Sequence, residues 1–410
     1  MYANDRGDRF PEARKALGGW ILEGKLKPVE DIIVGLENAP AALRRVFNGA
    51  NFGKQLMKVW SRDPSALPNS QAGVERTCAG VMLIGPCRHP SAMQKTIDWL
   101  LEPTQPAVRY LAMKELVEGT SRGDLDEARR DIPSRGWVAD LLSKQKPGGY
   151  WLDKENDLYL PKYISTNWML LALSDLGVTK DDPRIAKGCS LWMDTYSRAD
   201  GGFDSPGNMH SEHCLTGNTA RALVKFGFVD EPRVRSAFEL LVKTQKENGG
   251  WHCWGKSGTL DSWEGLSAFA VYPRHKWTKS MKASVDRGCE FYLERRLSRQ
   301  GAHYAPWFRF HFPYHYYYDI LVGLEFMTAL GYAEDRRMRP ALSHLKSKMR
   351  KDGRWNLDAV HPDYENDGKW PNWWNRYKSR YHPFALEQPG RPSKMITLRA
   401  MTVLNRLDEP

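Results

Sequence analysis

A glycine turn followed by an aromatic residue recurs along most of this chain, and its spacing leaves few folds open. The copies read LLSKQKPGGYW at 141–151, LWMDTYSRADGGF at 191–203, LLVKTQKENGGW at 240–251 and LKSKMRKDGRW at 345–355, with a fainter one, YLERRLSRQGAHY, at 292–304. From Gly149 through Gly202, Gly250 and Gly301 to Gly353 the steps are 53, 48, 51 and 52 residues. A repeat of that length holds one helical hairpin and a loop.

Each unit also has a fixed internal order. An apolar stretch such as NWMLLALSDLG, NTARALVKFGF or ILVGLEFMTALG comes first, and in two units an acidic cap and proline follow, DDPR at 181–184 and DEPR at 230–233. Aspartate before proline starts a helix well, because the side chain accepts from free N–H groups and proline needs no N–H there. The helix that follows, for example VRSAFELLVKTQ, is amphipathic and ends at the glycine turn, where a positive φ is wanted. Stretches such as NWMLLALSDLG are apolar on all sides, which favours closure into a ring over an open solenoid.

Turns of the QxxxGGW type at this period resemble those of the superfamily of squalene–hopene cyclases and protein prenyltransferase β-subunits, over roughly 93–410. The resemblance implies an all-α fold, an α/α toroid in which helical hairpins surround a central cavity. It also implies an enzyme of the terpene cyclase or prenyltransferase kind, acting on an apolar, isoprenoid-type ligand held in that cavity.

The first sixty residues belong to another pattern. RFPEARKALGGWILEGKLKPVEDIIVGLENAPAALRRVFNGANFGKQLMKV at 9–59 resembles the C-terminal tail of medium-chain NADP-dependent oxidoreductases related to leukotriene B4 dehydrogenase, with GLENAP and NFGK as its marks. That resemblance places Asn51 near a nicotinamide, but no GxGxxG loop is present to hold a dinucleotide, so no NADP is expected. Residues 61–92 are rich in Pro, Ser and Gly and read as a linker. The expected organisation is therefore 1–60 tail-like, 61–92 linker and 93–410 toroid, as in a fusion protein.

Composition narrows the partners. A net charge of +11 favours an anionic group on the ligand or contact with an anionic membrane surface, while the absence of long basic runs argues against nucleic acid. No transmembrane segment is evident, and the polar start MYANDRGDRFPEAR is unlike a signal peptide, which predicts a cytoplasmic protein. The six cysteines, at 78, 87, 189, 214, 253 and 289, form no CxxC pair. Cys189 and Cys289 occupy equivalent positions in amphipathic helices and read as packing residues.

Chemistry is expected at the starts of the inner helices, which in a toroid converge on one end of the cavity. An Asp-x-Asp-Asp acid cluster is absent, so the acid for a cyclase would be Asp261, Glu264 or Asp319, although each also suits a helix cap. Tyr317, His315 or a carboxylate pair would be the acid and base in a carbohydrate-cleaving alternative. Cys214 and Cys253 with His311 and His315 form a possible zinc set, since zinc takes sulfur and imidazole; buried, inert side chains are the competing reading. The prenyltransferase resemblance likewise points to Asp261 and to His315 in YHYYYDILVGL, but Trp263 stands where that family has its cysteine. Trp263, Trp307 and Tyr316 read as ligand-facing rings, and Asn218, Arg309, Arg391 and Lys394 as polar contacts near the same helix starts. Two alternatives stay open: an α/α-toroid polysaccharide lyase or glycoside hydrolase, and a non-catalytic repeat module that only binds.

Overall fold

The computed structural model describes residues 23, 30–34, 54–58, 90–152, 158–205, 211–299, 304–361 and 384–408. The chain divides into two compact units, Met1–Ile84 and Gly85–Pro410. In the first, strands β1 (Glu30–Val34) and β2 (Lys54–Lys58) pair in parallel with Ile32 opposite Leu56. Asn51 and residues 61–89 lie outside the described residues.

The second unit is helical. Its described helices are α1 (Pro90–Leu100), α2 (Pro106–Leu116), α3 (Arg122–Asp131), α4 (Gly136–Leu142), α5 (Thr166–Ser174), α6 (Pro183–Tyr196), α7 (His213–Phe226), α8 (Pro232–Thr244), α9 (Glu264–Val271), α10 (Lys279–Glu294), α11 (Ile320–Ala329), α12 (Arg339–Ser347) and α13 (Lys394–Asp408). The helix α1 begins inside the stretch expected to be linker, with Pro90 at a position where its missing N–H costs nothing.

Six helices, α2, α5, α7, α9, α11 and α13, form an inner ring, because residues from all six wall one cavity. The ring closes where α13 packs against α2. Outside it, α6 packs on α5, α8 on α7, α10 on α9 and α12 on α11. This is an α/α toroid.

The hydrogen bonds explain why the turn motif repeats. In three units the indole Nε1 of the turn tryptophan donates to the carbonyl ten residues earlier: Trp151 to Leu141 at 2.8 Å, Trp251 to Leu241 at 2.9 Å and Trp355 to Leu345 at 2.8 Å. That carbonyl lies in the last turn of the helix before the glycine turn, where the regular helical N–H donors run out. The backbone N–H of the turn aromatic then donates to a threonine at the start of the next inner helix, as Trp151 does to Thr166 and Phe203 to Thr216. Each motif glutamine spans to the next outer helix: Gln145 Nε2 reaches the carbonyls of Gly149 and Arg184, and Gln245 those of Gly249 and Ser284. Gly249 has φ 86°, and a Cβ there would sit 2.5 Å from the Arg287 carbonyl, so no side chain fits.

The faint copy departs from this scheme. Tyr304 is 43% exposed and Gly301 lies outside the described residues; the buried ring nearby belongs to Trp307. None of the described helices is long and apolar enough to cross a membrane.

Candidate active site at the centre of the helical ring

The helix starts are packed rather than hollow. Tyr163 sits at their centre, with its hydroxyl 2.9 Å from that of Tyr317, 3.2 Å from that of Tyr316 and 3.0 Å from Nε2 of His361. The His315 ring lies 4.8 Å from the Tyr163 ring and 5.4 Å from Trp168. Tyr316 and Tyr317 therefore form part of an aromatic plug. Tyr317 is bonded within it, and burial pushes its phenol well above the ordinary range, which suits a donor more than a base.

His315 is held in a left-handed conformation, φ 50°, with its carbonyl accepting from Asn218 Nδ2 at 2.8 Å. Both ring nitrogens are buried without a partner. Burial, with the nearby His311, pushes its pKa down from 6.5 to about 3. The unfolded chain takes up this proton below 6.5 and the folded chain does not until about 3, so stability is lost as pH falls through that window. The difference in unfolding free energy between wild type and His315→Gln should therefore shift by about 3 kcal/mol between pH 7 and pH 4, against the wild type, in denaturant titrations. An unchanged difference would mean that His315 is solvated.

His311 and Asp319 are paired elsewhere. His311 Nδ1 is 2.7 Å from Asp319 Oδ2, both side chains are fully buried, and Asp319 also caps α11 by accepting from Val322 N at 2.8 Å. Asp319 is thus engaged by a helix cap and a histidine. Asp261 is exposed, and its Oδ1 accepts from Trp307 Nε1 at 2.6 Å. Trp307 is turned to that carboxylate and to Tyr318, away from the cavity walls.

Glu264 differs from these acids. It is the first residue of α9, is 1% exposed, and its Oε2 has no hydrogen-bond partner. Burial first, and then the neighbouring Cys253 and Asp261, push its carboxyl well above the usual range, toward the protonated form. Trp263 and Ser267, on either side of it along the helix, both face the cavity.

The thiols form a separate cluster. Cys214 Sγ and Cys253 Sγ are 3.2 Å apart, with His213 Nε2 at 3.8 Å from Cys253 and Glu212 Oε2 at 3.6 Å from Cys214. The bond from Cys214 pushes the Cys253 thiol down to about 4, and the Cys214 thiol is pushed up in return. Neither His311 nor His315 belongs to the potential metal-binding group among the described residues, which corrects the expected ligand set. Cys189 and Cys289 are buried on α6 and α10.

The open volume lies toward the C-terminal ends of the inner helices, opposite to the end where chemistry was expected. A cavity of about 470 Å³ is walled by apolar groups, including Leu111, Val224, Trp263, Val322, Phe326 and Met395, and by six basic side chains against three acidic ones. Arg221 NH1 and Lys225 Nζ bond Asp175 Oδ1 at 3.0 and 2.7 Å. Arg399 Nε bonds Glu325 Oε1 at 2.7 Å and its Nη2 bonds the other oxygen. Burial pushes the Glu325 carboxyl up and the Arg399 guanidinium down, both toward the neutral form. The Arg399 guanidinium lies 3.2 Å from the Tyr314 ring, with Arg221 on the same ring at 5.9 Å. Arg221 Nε and Arg399 Nη1 are buried without an acceptor.

Several polar residues picked from the helix starts therefore have structural roles. Asn218 holds the His315 carbonyl, Lys394 is bound by Glu102 at 3.0 Å and by the Trp99 carbonyl, and Arg391 is exposed. Arg309 is half-buried and close enough to His361 to oppose its protonation. The cavity charges had a signal of their own: Glu325 and Arg399 each interrupt a largely apolar run, in ILVGLEFMTA and MITLRAMTVL, and Arg221 and Lys225 flank the apolar ALV of NTARALVKF. A charge inside an apolar helix must find a buried partner or a ligand.

Comparison with known proteins divides the chain in the same way. A stretch of 62 residues is 48% identical to a Bacillus subtilis protein described as an NADP-dependent oxidoreductase, YfmJ, and 63 residues are 39% identical to NADPH-dependent curcumin reductase of Escherichia coli, each stretch being 15% of this chain and 18% of the relative. A stretch of 126 residues, 28% of this chain, is 31% identical to squalene–hopene cyclase of Bradyrhizobium diazoefficiens, again 18% of the relative. The helical unit is squalene cyclase-like in fold. Its ring order and turn bonds carry that statement.

No family model matches the chain, and it spans about a fifth of the length of each of these relatives. Solved structures similar to it include type II terpene cyclase MstE from Scytonema, 16% identical with a TM-score of 0.38, covering 77% of this chain and 98% of that one. A protein from Actinoplanes is 17% identical with a TM-score of 0.41, covering 78% and 98%.

Proposed function

We propose that the helical unit is a terpene cyclase-like enzyme that holds an isoprenoid-type ligand with an anionic head in the cavity of the ring. The observation that carries this reading is the pairing, in one cavity, of apolar walls with Arg221 Nε and Arg399 Nη1, two buried donors without acceptors. A volume of about 470 Å³ suits a single small molecule. The sequence similarity to squalene–hopene cyclase supports the same substrate class.

In this reading Glu264, whose burial favours the protonated carboxyl, is the acid for an alkene carbon of the ligand. It lies behind the wall residues Trp263 and Ser267 rather than on the wall itself, so the ligand must reach past them. The cation that results is stabilised by the Trp263 ring on the cavity wall, since the Tyr314 ring already carries the Arg399 guanidinium. Loss of a proton from a neighbouring carbon ends the reaction, so the product is an isomer of the substrate and Glu264 is finally reprotonated. The carbohydrate alternative needs an open polar groove, whereas all six inner helices wall this cavity.

Titration of the full chain with farnesyl diphosphate and with farnesol, followed by tryptophan fluorescence, tests the head-group contact. The diphosphate should bind more tightly, and the double variant Arg399→Met/Glu325→Leu, which removes a buried pair together, should weaken it by roughly 10–100-fold while sparing farnesol. Equal affinity for the two ligands would remove the basis of the reading.

A further inference from the structure

We propose that Glu212, His213, Cys214 and Cys253 form a binding site for a thiolate-preferring divalent metal, zinc by its chemistry, that clips two repeats together. The cluster is built from two separate units. Glu212, His213 and Cys214 are the N-cap and first two residues of α7, whereas Cys253 belongs to the loop that follows the third glycine turn.

Both halves are fixed before any ligand arrives. The loop carrying Cys253 is anchored by the Trp251 indole on Leu241 and is folded back by His252 Nδ1, which accepts from the backbone N–H groups of Trp254 and Gly255 at 3.1 and 2.7 Å. Asn248 ties the far side of the loop, its Oδ1 accepting from Gly258 N at 2.9 Å. On the other side, Glu212 N donates to Asp204 at 2.8 Å and Thr216 Oγ1 is held by Phe203, which set the first turn of α7.

The separations suit one ion. With metal–sulfur bonds of about 2.3 Å and metal–nitrogen or metal–oxygen bonds of about 2.0 Å, the edges of a tetrahedron are about 3.5–3.8 Å. Glu212 to Cys214 at 3.6 Å and Cys253 to His213 at 3.8 Å fall on those edges, and the two sulfurs at 3.2 Å need only a small opening. One atom each from Glu212, Cys214 and Cys253 lies within 4.8 Å of the others, and all three residues are half-buried, so an ion can enter. Glu212, Cys214 and Cys253 supply three ligands, and His213, which lies near Cys253, becomes the fourth once its ring swings in, leaving no position for substrate and making the site structural. None of its four ligands takes part in the reaction proposed above, although Cys253 is a neighbour of Glu264.

The full chain, purified under reducing conditions, should carry about one zinc per chain by elemental analysis. After chelation, cobalt should give the intense absorption of a thiolate–cobalt bond. Cys214→Ser and Cys253→Ser should each lose the ion, and Glu212→Gln should weaken it roughly 10–100-fold in competition with a chelator. Chelation should lower the Tm of the wild type by roughly 10 °C. Because the cobalt band is read on the wild type, a variant that fails to fold does not decide the matter. Absence of both zinc and the cobalt band from the reduced wild type, or a Cys214–Cys253 disulfide in the chain as it leaves the cell, would overturn the proposal.

Discussion

Asp175→Asn should lower the unfolding free energy of the helical unit by about 3–5 kcal/mol, because it leaves the buried Arg221 and the half-buried Lys225 without their counter-charge. Asp175 follows α5, and its side chain is 5% exposed while bonded to Arg221 and Lys225. Against the upward push of burial, those two cations hold its carboxyl below the ordinary range. Its contribution is therefore present above the unfolded aspartate pKa and is lost as pH falls through the lower folded value. Denaturant titration at neutral pH measures the loss. Asp230→Asn, which breaks the exposed ion pair with Lys276, should leave the midpoint almost unchanged and serves as the control. A small effect at Asp175 would mean that water already neutralises the cavity wall.

Glu264→Gln should reduce turnover of an isoprenoid substrate by roughly 10²–10⁴-fold while leaving its affinity intact, since the amide keeps the shape and loses the acidic proton. The same change should stabilise the fold at neutral pH. A carboxyl with a raised folded pKa gives full stability below its unfolded pKa and loses it as pH rises toward the folded one. The variant should therefore gain over wild type steadily from about pH 4.5 upward. Product assays and Tm measured across pH separate the two roles. Retained turnover with the stability gain would make Glu264 a buried acid with no part in catalysis.

Much of the architecture was legible from a few residue types. The glycine turns, the tryptophans ten residues beyond an outer-helix carbonyl and the capping aspartate before Pro183 act over short spans of chain, so their spacing alone specifies hairpins of alternating apolar and amphipathic helices. The closeness of Cys214 and Cys253 was partly legible too, because both follow a glycine turn in successive units. Their partners were not. His311 and His315 had the right chemistry, but Glu212 and His213 are the groups that α7 turns toward the sulfurs.

The sequence by itself determined the repeat, the helix order and the split between an oxidoreductase-like start and a helical ring, since each rests on local hydrogen bonding and the periodicity of apolar residues. Only the tertiary structure decided where the open space lies and which charges face it. Asp261 was drawn out to Trp307, Asp319 was consumed as a cap, and Glu264 was buried without a partner, although all three read alike as acids near helix starts. The reason is that desolvation and charge pairing depend on neighbours brought together by ring closure. Arg221, Glu325 and Arg399 come from three helices far apart in the chain, and only the closed ring sets them around one cavity.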